Sequence, residues 1–295
     1  MALITPFHED TGNIDFTSLQ NLIQYHLDSG TDNLCLLGTT GEAGVLSMDE
    51  RQQVLTTAAN MVQGRIPMMV GCGTINPHHV REMIQQAADC GCDAALVVTP
   101  YYVKPPQRSL IQHYISLADT SPLPLIIYNV PGRTAVDMKD ESIAISAGHD
   151  NIVGVKDATG KLERLTLLQQ LLIEQNVKKE DFLLFSGDDE TSMDYVFNGG
   201  DGCISVTANI AAKAMHDIMM ASLQKDPRTA KSLNDPLVAL HQKLFCEANP
   251  MPIKYAASRI NLIAKPYCRP PLDVMDTQLY GTVVDEALRK AGLLP

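Results

Sequence analysis

Tryptophan is absent from this chain of 295 residues, and aromatic residues of all kinds make up only 5% of it. Basic residues are outnumbered, 23 against 34 acidic ones, which gives a formal net charge of −11. No basic stripe and no interleaving of aromatic with basic residues occurs, so nucleic-acid binding is excluded as an expectation. An anionic substrate would need a local positive site. No apolar run reaches the length of a membrane span, and Met1-Ala2-Leu3-Ile4-Thr5-Pro6 carries no basic n-region of a secretory signal. A cytoplasmic protein without membrane partners is expected. The seven cysteines include no C-x-x-C pair, and the eight histidines form no H-x-H or H-E-x-x-H cluster. Reduced core cysteines are therefore expected, with the spaced pair Cys90 and Cys92 as the mild alternative, and a zinc site has no support. Neither a G-x-G-x-x-G after the first strand nor a G-x-x-x-x-G-K-[ST] is found, so the usual nucleotide cradles are missing.

What is present is alternation. Eight short β-type runs are Ala2–Thr5, Asn33–Gly38, Pro67–Gly71, Ala94–Thr99, Pro124–Val130, Ile152–Asp157, Asp181–Gly187 and Gly202–Thr207. Segments of helical period separate them. Leu19, Leu22, Ile23, His26 and Leu27 share one face of the first, which places His26 in the core; Val80, Met83, Ile84, Ala87 and Ala88 repeat the stripe. Ser47-Met48-Asp49-Glu50 reads as a capping box, and Asn76-Pro77 as an N-cap followed by proline at the first helical position. Buried strands alternating with amphipathic helices call for parallel pairing, and repeats of about thirty residues fit an α/β fold of the (β/α)8 TIM-barrel type. An open doubly wound sheet is the competitor, disfavoured by the missing nucleotide cradles. We expect a catalytic barrel over residues 1–224 and a small C-terminal helical extension over 225–295, broken at Asp226-Pro227, Asp235-Pro236 and Asn249-Pro250.

One run stands apart. Ile152-Val153-Gly154-Val155-Lys156-Asp157 reads as a strand buried on both faces, where lysine is rarely placed. Desolvation favours the uncharged amine, a nucleophile able to form a Schiff base with a carbonyl compound. The plain alternative is a lysine that reaches solvent or pairs with Asp157. Other polar residues gather at strand ends, where barrels of this kind carry their chemistry. Thr39-Thr40-Gly41-Glu42 follows the second run, Tyr101-Tyr102 the fourth, Tyr128 and Arg133 bracket the end of the fifth, and Ser186-Gly187-Asp188-Asp189 follows the seventh. Each has a structural reading: turn and helix cap, loop packing, surface charge, and a cap on a helix dipole for Asp188-Asp189. Their coincidence on one rim favours a reactive Lys156.

Thr39-Thr40-Gly41-Glu42, Tyr128-Asn129-Val130-Pro131-Gly132-Arg133-Thr134 and Gly154-Val155-Lys156-Asp157-Ala158-Thr159-Gly160 resemble the signature stretches of the dihydrodipicolinate synthase (4-hydroxy-tetrahydrodipicolinate synthase) family. Thr99-Pro100-Tyr101-Tyr102, Ser186-Gly187-Asp188-Asp189 and Glu247-Ala248-Asn249-Pro250-Met251-Pro252-Ile253-Lys254 extend the resemblance over nearly the whole chain. It implies a metal-independent lyase of class I aldolase type, without a cofactor, that condenses pyruvate with L-aspartate 4-semialdehyde on the diaminopimelate route to lysine. By this resemblance Lys156 is the Schiff-base lysine, Tyr128 the acid/base, and Thr39 and Tyr102 its proton relay. Thr40, Ile204 and Gly187 match positions around pyruvate, and Arg133 the residue that receives the second substrate's carboxylate. The resemblance further implies a homotetramer, a dimer of dimers, in which a tyrosine of the Tyr101/Tyr102 pair is shared across the tight dimer.

The chain also departs from the family. Ala43, Met48, Arg51, Ile75 and His79 stand where lysine-inhibited members carry serine, histidines, asparagine and a glutamate, so weak or absent feedback by lysine is expected. The N-terminus begins several residues later than is usual in the family, so either an incomplete first strand or a start site placed too late is expected. Related N-acetylneuraminate lyases and keto-deoxy-sugar-acid aldolases are the alternative reading; Arg133 and the doubled threonine favour the synthase. A non-catalytic barrel would be expected to lack Lys156 or Tyr128, and a metal-dependent aldolase to carry a histidine-carboxylate cluster.

Overall fold

The computed structural model describes residues 1–295. The chain divides into two compact units, one of residues 1–67 with 205–295 and the other of residues 68–204.

The first unit opens with α1 (Phe16–Asp28), β1 (Leu34–Leu36) and α2 (Met48–Val62). Leu19, Leu22, Ile23 and His26 of α1 are buried, as the stripe requires. His26 bonds Thr31 Oγ1 through Nδ1 at 2.9 Å, and burial pushes its imidazole down to about 3. It is a neutral core residue. The capping box on α2 is formed in both directions, Glu50 N to Ser47 Oγ and Ser47 N to the Glu50 carboxylate.

The second unit alternates β2 (Met68–Gly71), α3 (Pro77–Asp89), β3 (Ala94–Val98), α4 (Gln107–Ala118), β4 (Leu125–Asn129), the short α5 (Pro131–Thr134), α6 (Asp140–Ser146), β5 (Ile152–Asp157), α7 (Leu162–Glu174), β6 (Leu183–Ser186), α8 (Ser192–Phe197) and β7 (Gly202–Cys203). The six strands lie side by side in sequence order and every pair is parallel. Parallel neighbours need crossovers, which the helices supply. Val70, Ala95, Leu96, Ile126, Ile127, Val155 and Leu184 fill the strands' buried positions. Each large aliphatic side chain so buried contributes about 1.5–3 kcal/mol. Asn76 caps α3 through His78 N, with Pro77 at the first helical position.

The first unit resumes with α9 (Ala212–Leu223), α10 (Pro227–Asn234), α11 (Val238–Lys243), α12 (Met251–Arg259) and α13 (Thr277–Lys290). The expected proline interruptions begin elements: Asp226 caps α10 with Pro227 behind it, and Asp235-Pro236 opens a 3-10 turn. No helix of either unit is long and apolar enough to cross a membrane.

The first and last of the expected strands fall furthest short of their runs. Ala2–Thr5 is reduced to a single parallel bridge, Ala2 with Cys35, because Ile4 N turns to the side chain of Asn209. Gly202–Thr207 stops at Cys203, since Ser205 Oγ takes the N–H of Ala208 and starts the turn Thr207–Asn209. None of the seven cysteines is in a disulfide; Cys35, Cys72, Cys92 and Cys268 are buried, whereas Cys90, Cys203 and Cys246 are half-buried.

Candidate active site

In the second unit Tyr128 on β4 and Lys156 on β5 are register partners. Residues paired across parallel strands project to the same face. Accordingly the Lys156 amine lies over the Tyr128 ring, 4.4 Å from its centroid, and the two residues are only 5% and 7% exposed. The alternation of the strand then sends Asp157 to the other face. Its carboxylate accepts from Thr159 N and Oγ1 and pairs with Arg164 Nε at 3.2 Å. The plain reading, a lysine that pairs with Asp157 or escapes to solvent, is therefore overturned.

The next strand makes room for the amine. Gly187 N continues the ladder to Asp157 O, and a Cβ at Gly187 would come within 2.8 Å of Lys156 Cε and 2.7 Å of Ala158 Cβ. Only glycine allows the lysine to lie there. Ile204, buried at the end of β7, bonds its N–H to Ser186 O. Of the expected residues, Lys156, Tyr128, Gly187 and Ile204 are thus placed by the strand ends of one sheet. Asp188 is structural as anticipated: its carboxylate accepts from the N–H and hydroxyl of Thr191 at the start of α8.

Arg133 lies exposed on α5, directly after β4. The loop that carries it is tied back by groups the sequence did not single out. Asn129, fully buried, donates to Asp137 Oδ1 and accepts from Met138 N. Arg164 pairs with Asp137 at 3.0 Å, with Asp140 at 2.9 Å and with Asp157, and donates to Met138 O. One guanidinium therefore joins the Arg133 loop to the strand of Lys156. Burial pushes the Asp140 carboxyl up to about 6 against the pull of Arg164, and raises Asp157 as well. The available signal was Asp157 itself, an acid in a buried run that demands a cation. Tyr102 is 84% exposed at φ 68°, a left-handed conformation that costs a side-chain-bearing residue on the order of 1 kcal/mol. Tyr101 is exposed and lies with its hydroxyl 3.4 Å from Thr74 Oγ1.

In the first unit Thr39 is exposed and Thr40 buried on a tight turn in which Glu42 N bonds Thr39 O. Leu37 and Glu42, on either side, both sit at φ 53°. Strain of this kind persists only where surroundings enforce it. The enforcement comes from the C-terminal segment. Lys254, with no exposed side-chain surface, pairs with Glu42, donates to Tyr267 O, and lies 4.2 Å from the Phe7 ring centroid. Burial pulls the Lys254 ammonium down and the Glu42 carboxylate opposes this. Arg269 donates its N–H to Glu42, stacks 4.5 Å from Phe7, and pairs with Glu50, whose carboxyl its hydrogen bonds hold down to about 2. Asn249 Nδ2 donates to Thr40 Oγ1 at 2.9 Å. The motifs containing Glu42, Asn249 and Lys254 were legible, but their pairing was not.

A parallel α/β sheet that presents a buried strand-end lysine against a phenol, beside a glycine that clears its path, fits a lyase of class I aldolase type. The comparisons agree. The chain belongs to the dihydrodipicolinate synthetase family, whose model matches residues 1–290. A 4-hydroxy-tetrahydrodipicolinate synthase of Shewanella sp. (strain MR-7) is 42% identical over 98% of this chain and 96% of its own length. The chloride-inhibited dihydrodipicolinate synthase of Acinetobacter baumannii, solved in complex with pyruvate, matches with TM-score 0.94 and 42% identity over 99% of this chain and 98% of that one. A monomeric dihydrodipicolinate synthase variant matches with TM-score 0.94 and 33% identity over 99% and 96%.

Proposed function

We propose that this chain is a 4-hydroxy-tetrahydrodipicolinate synthase, condensing pyruvate with L-aspartate 4-semialdehyde through an imine on Lys156. The Lys156 amine adds to C2 of pyruvate, and loss of water gives the iminium. That cation takes up the electron pair when C3 loses a proton, forming an enamine. Carbon C3 then attacks the aldehyde carbon, whose oxygen is protonated to a hydroxyl. The substrate's own amine finally adds to C2 and expels Lys156, closing the ring and restoring the enzyme. Water is the only by-product, and no cofactor enters. Tyr128 is assigned the proton transfers, with Thr39 and Tyr102 as its relay. Thr40, Gly187 and Ile204 are assigned to pyruvate. Arg133, a planar fork suited to a carboxylate, is assigned to the second substrate.

The observation that carries this reading is the amine of Lys156, buried and free of any carboxylate, 4.4 Å from the Tyr128 ring centroid. Relatives that carry the synthase name over 98% of the chain favour it over the sugar-acid aldolases. Borohydride reduction in the presence of pyruvate, followed by peptide mapping, tests it: the adduct is expected on Lys156, and an adduct elsewhere or none refutes the imine.

Three further assignments belong to the same proposal. The first is a closed eight-stranded barrel over residues 1–224, with the extension over 225–295; supporting it, Ala2 N bonds Ser205 O while Leu3 N and Met1 O both engage Cys35. The second is a cytoplasmic homotetramer in which Tyr101 or Tyr102 is shared across the tight dimer; supporting it, Tyr102 and Val103 stand 84% and 57% exposed on a strained loop. The third is the absence of tight feedback by lysine.

A further inference from the structure

Thr40 meets Asn249 across 209 residues of sequence, and both are buried. A threonine hydroxyl has one proton and two lone pairs, whereas the amide nitrogen of asparagine can only donate. With Asn249 Nδ2 donating to Thr40 Oγ1, a lone pair of that oxygen is used and the hydroxyl proton is turned away from Asn249. The carboxylate of a 2-oxo acid accepts and never donates. Resting on the function proposed above, we infer that Asn249 is a positioning residue that sets the polarity of the Thr40 hydroxyl, so that Thr40 offers its proton to the substrate carboxylate.

Two observations besides the bond itself support this. Asn249 Oδ1 is buried and has no hydrogen-bond partner. Leaving a buried carbonyl unsatisfied is costly, and is tolerated where the other end of the group has a task. The bond is also built from both sides. Lys254, five residues beyond Asn249, pairs with Glu42, two residues beyond Thr40, and Thr5 Oγ1 holds Gly41 O at 2.8 Å. The threonine turn and the segment that carries the asparagine are thus tied to each other by more than the one bond.

The test is a double-mutant cycle read on KM and kcat for pyruvate. Asn249→Asp keeps the shape but can only accept, so it draws the Thr40 proton to itself; KM is expected to rise roughly ten- to hundredfold while kcat changes by less than about threefold. Asn249→Ala, which leaves the hydroxyl free to turn, is expected to do less harm than Asn249→Asp, the reverse of the order that a packing role would give. In a Thr40→Val background the hydroxyl is gone, and Asn249→Asp is expected to add only the small effect of its charge. Equal effects of Asn249→Asp in both backgrounds, or Asn249→Ala as the more damaging change, overturn the inference. Thermal melts of each variant separate a KM change from lost folding. Borohydride trapping of pyruvate by the unaltered enzyme comes first: failure there removes the proposed function and this inference with it, whereas trapping followed by additive mutants removes this inference alone.

Discussion

Replacing Arg164 by leucine strands three carboxylates at once. The guanidinium is the shared partner of Asp137, Asp140 and Asp157, and two of these acids are buried. Removing one side of a buried ion pair costs about 3–5 kcal/mol, because the remaining charge stays desolvated without compensation. For a protein of this size that is a fall in melting temperature on the order of 10 °C. The sign of its pH dependence follows from Asp140. Its carboxyl titrates near 6 when folded and near its ordinary value of 3.8 when unfolded. Between those values the folded state holds more protons, so this group's contribution to stability is present at acid pH and falls as pH rises toward 6. Without Arg164 both Asp140 and Asp157 move further up, and the window extends toward neutrality. Differential scanning calorimetry of wild type and Arg164→Leu should therefore show a gap in melting temperature that is wider at pH 8 than at pH 5. Adding Asp140→Asn to the variant should close part of it. A gap that is equal at both pH values, or smaller than about 2 °C, refutes the reasoning.

Lys156→Ala should abolish borohydride trapping with pyruvate and leave the circular dichroism spectrum unchanged; residual condensation by this variant removes the imine. Gly187→Ala places a methyl group against Lys156 Cε, so trapping should slow roughly tenfold or more while the protein still folds; an unchanged rate would show that the lysine has another resting place. Tyr102→Phe should reduce kcat roughly a hundredfold with the sedimentation behaviour preserved; wild-type turnover would exclude the Tyr102 hydroxyl from the relay. Titration with lysine at neutral pH should give no calorimetric signal in the micromolar range, since the exposed Met48, Ile75 and His79 offer no carboxylate to an ammonium ligand; a tight isotherm contradicts this.

Local features were readable from the residues alone. The α1 and α3 stripes, the Ser47 capping box, the Asn76 cap and the parallel strands from Met68 to Ser186 each depend on neighbours a few positions away. Lys156 was conspicuous because its residue type contradicts its surroundings. What could not be read is what joins distant segments. Thr40 and Asn249 lie 209 residues apart, and Arg269 and Glu50 lie 219 apart; no period or spacing links such pairs. Strand ends were misjudged for a related reason. At Ile4 a side chain takes the backbone N–H that a longer strand would have used, and at Ser205 the hydroxyl caps the turn that follows; β-propensity registers neither.

The division of the chain has a consequence for its synthesis. Residues 68–204 form one uninterrupted stretch, whereas the other unit draws on both ends of the polypeptide. Phe7 receives Lys254 and Arg269, and Arg269 also binds Gly12 O, so this segment waits for a partner made 257 residues after it. The six-stranded half can be assembled during translation. The turn bearing Thr39 and Thr40 acquires its clamp only after residues 249–269 have been made, so it matures later than the continuous unit.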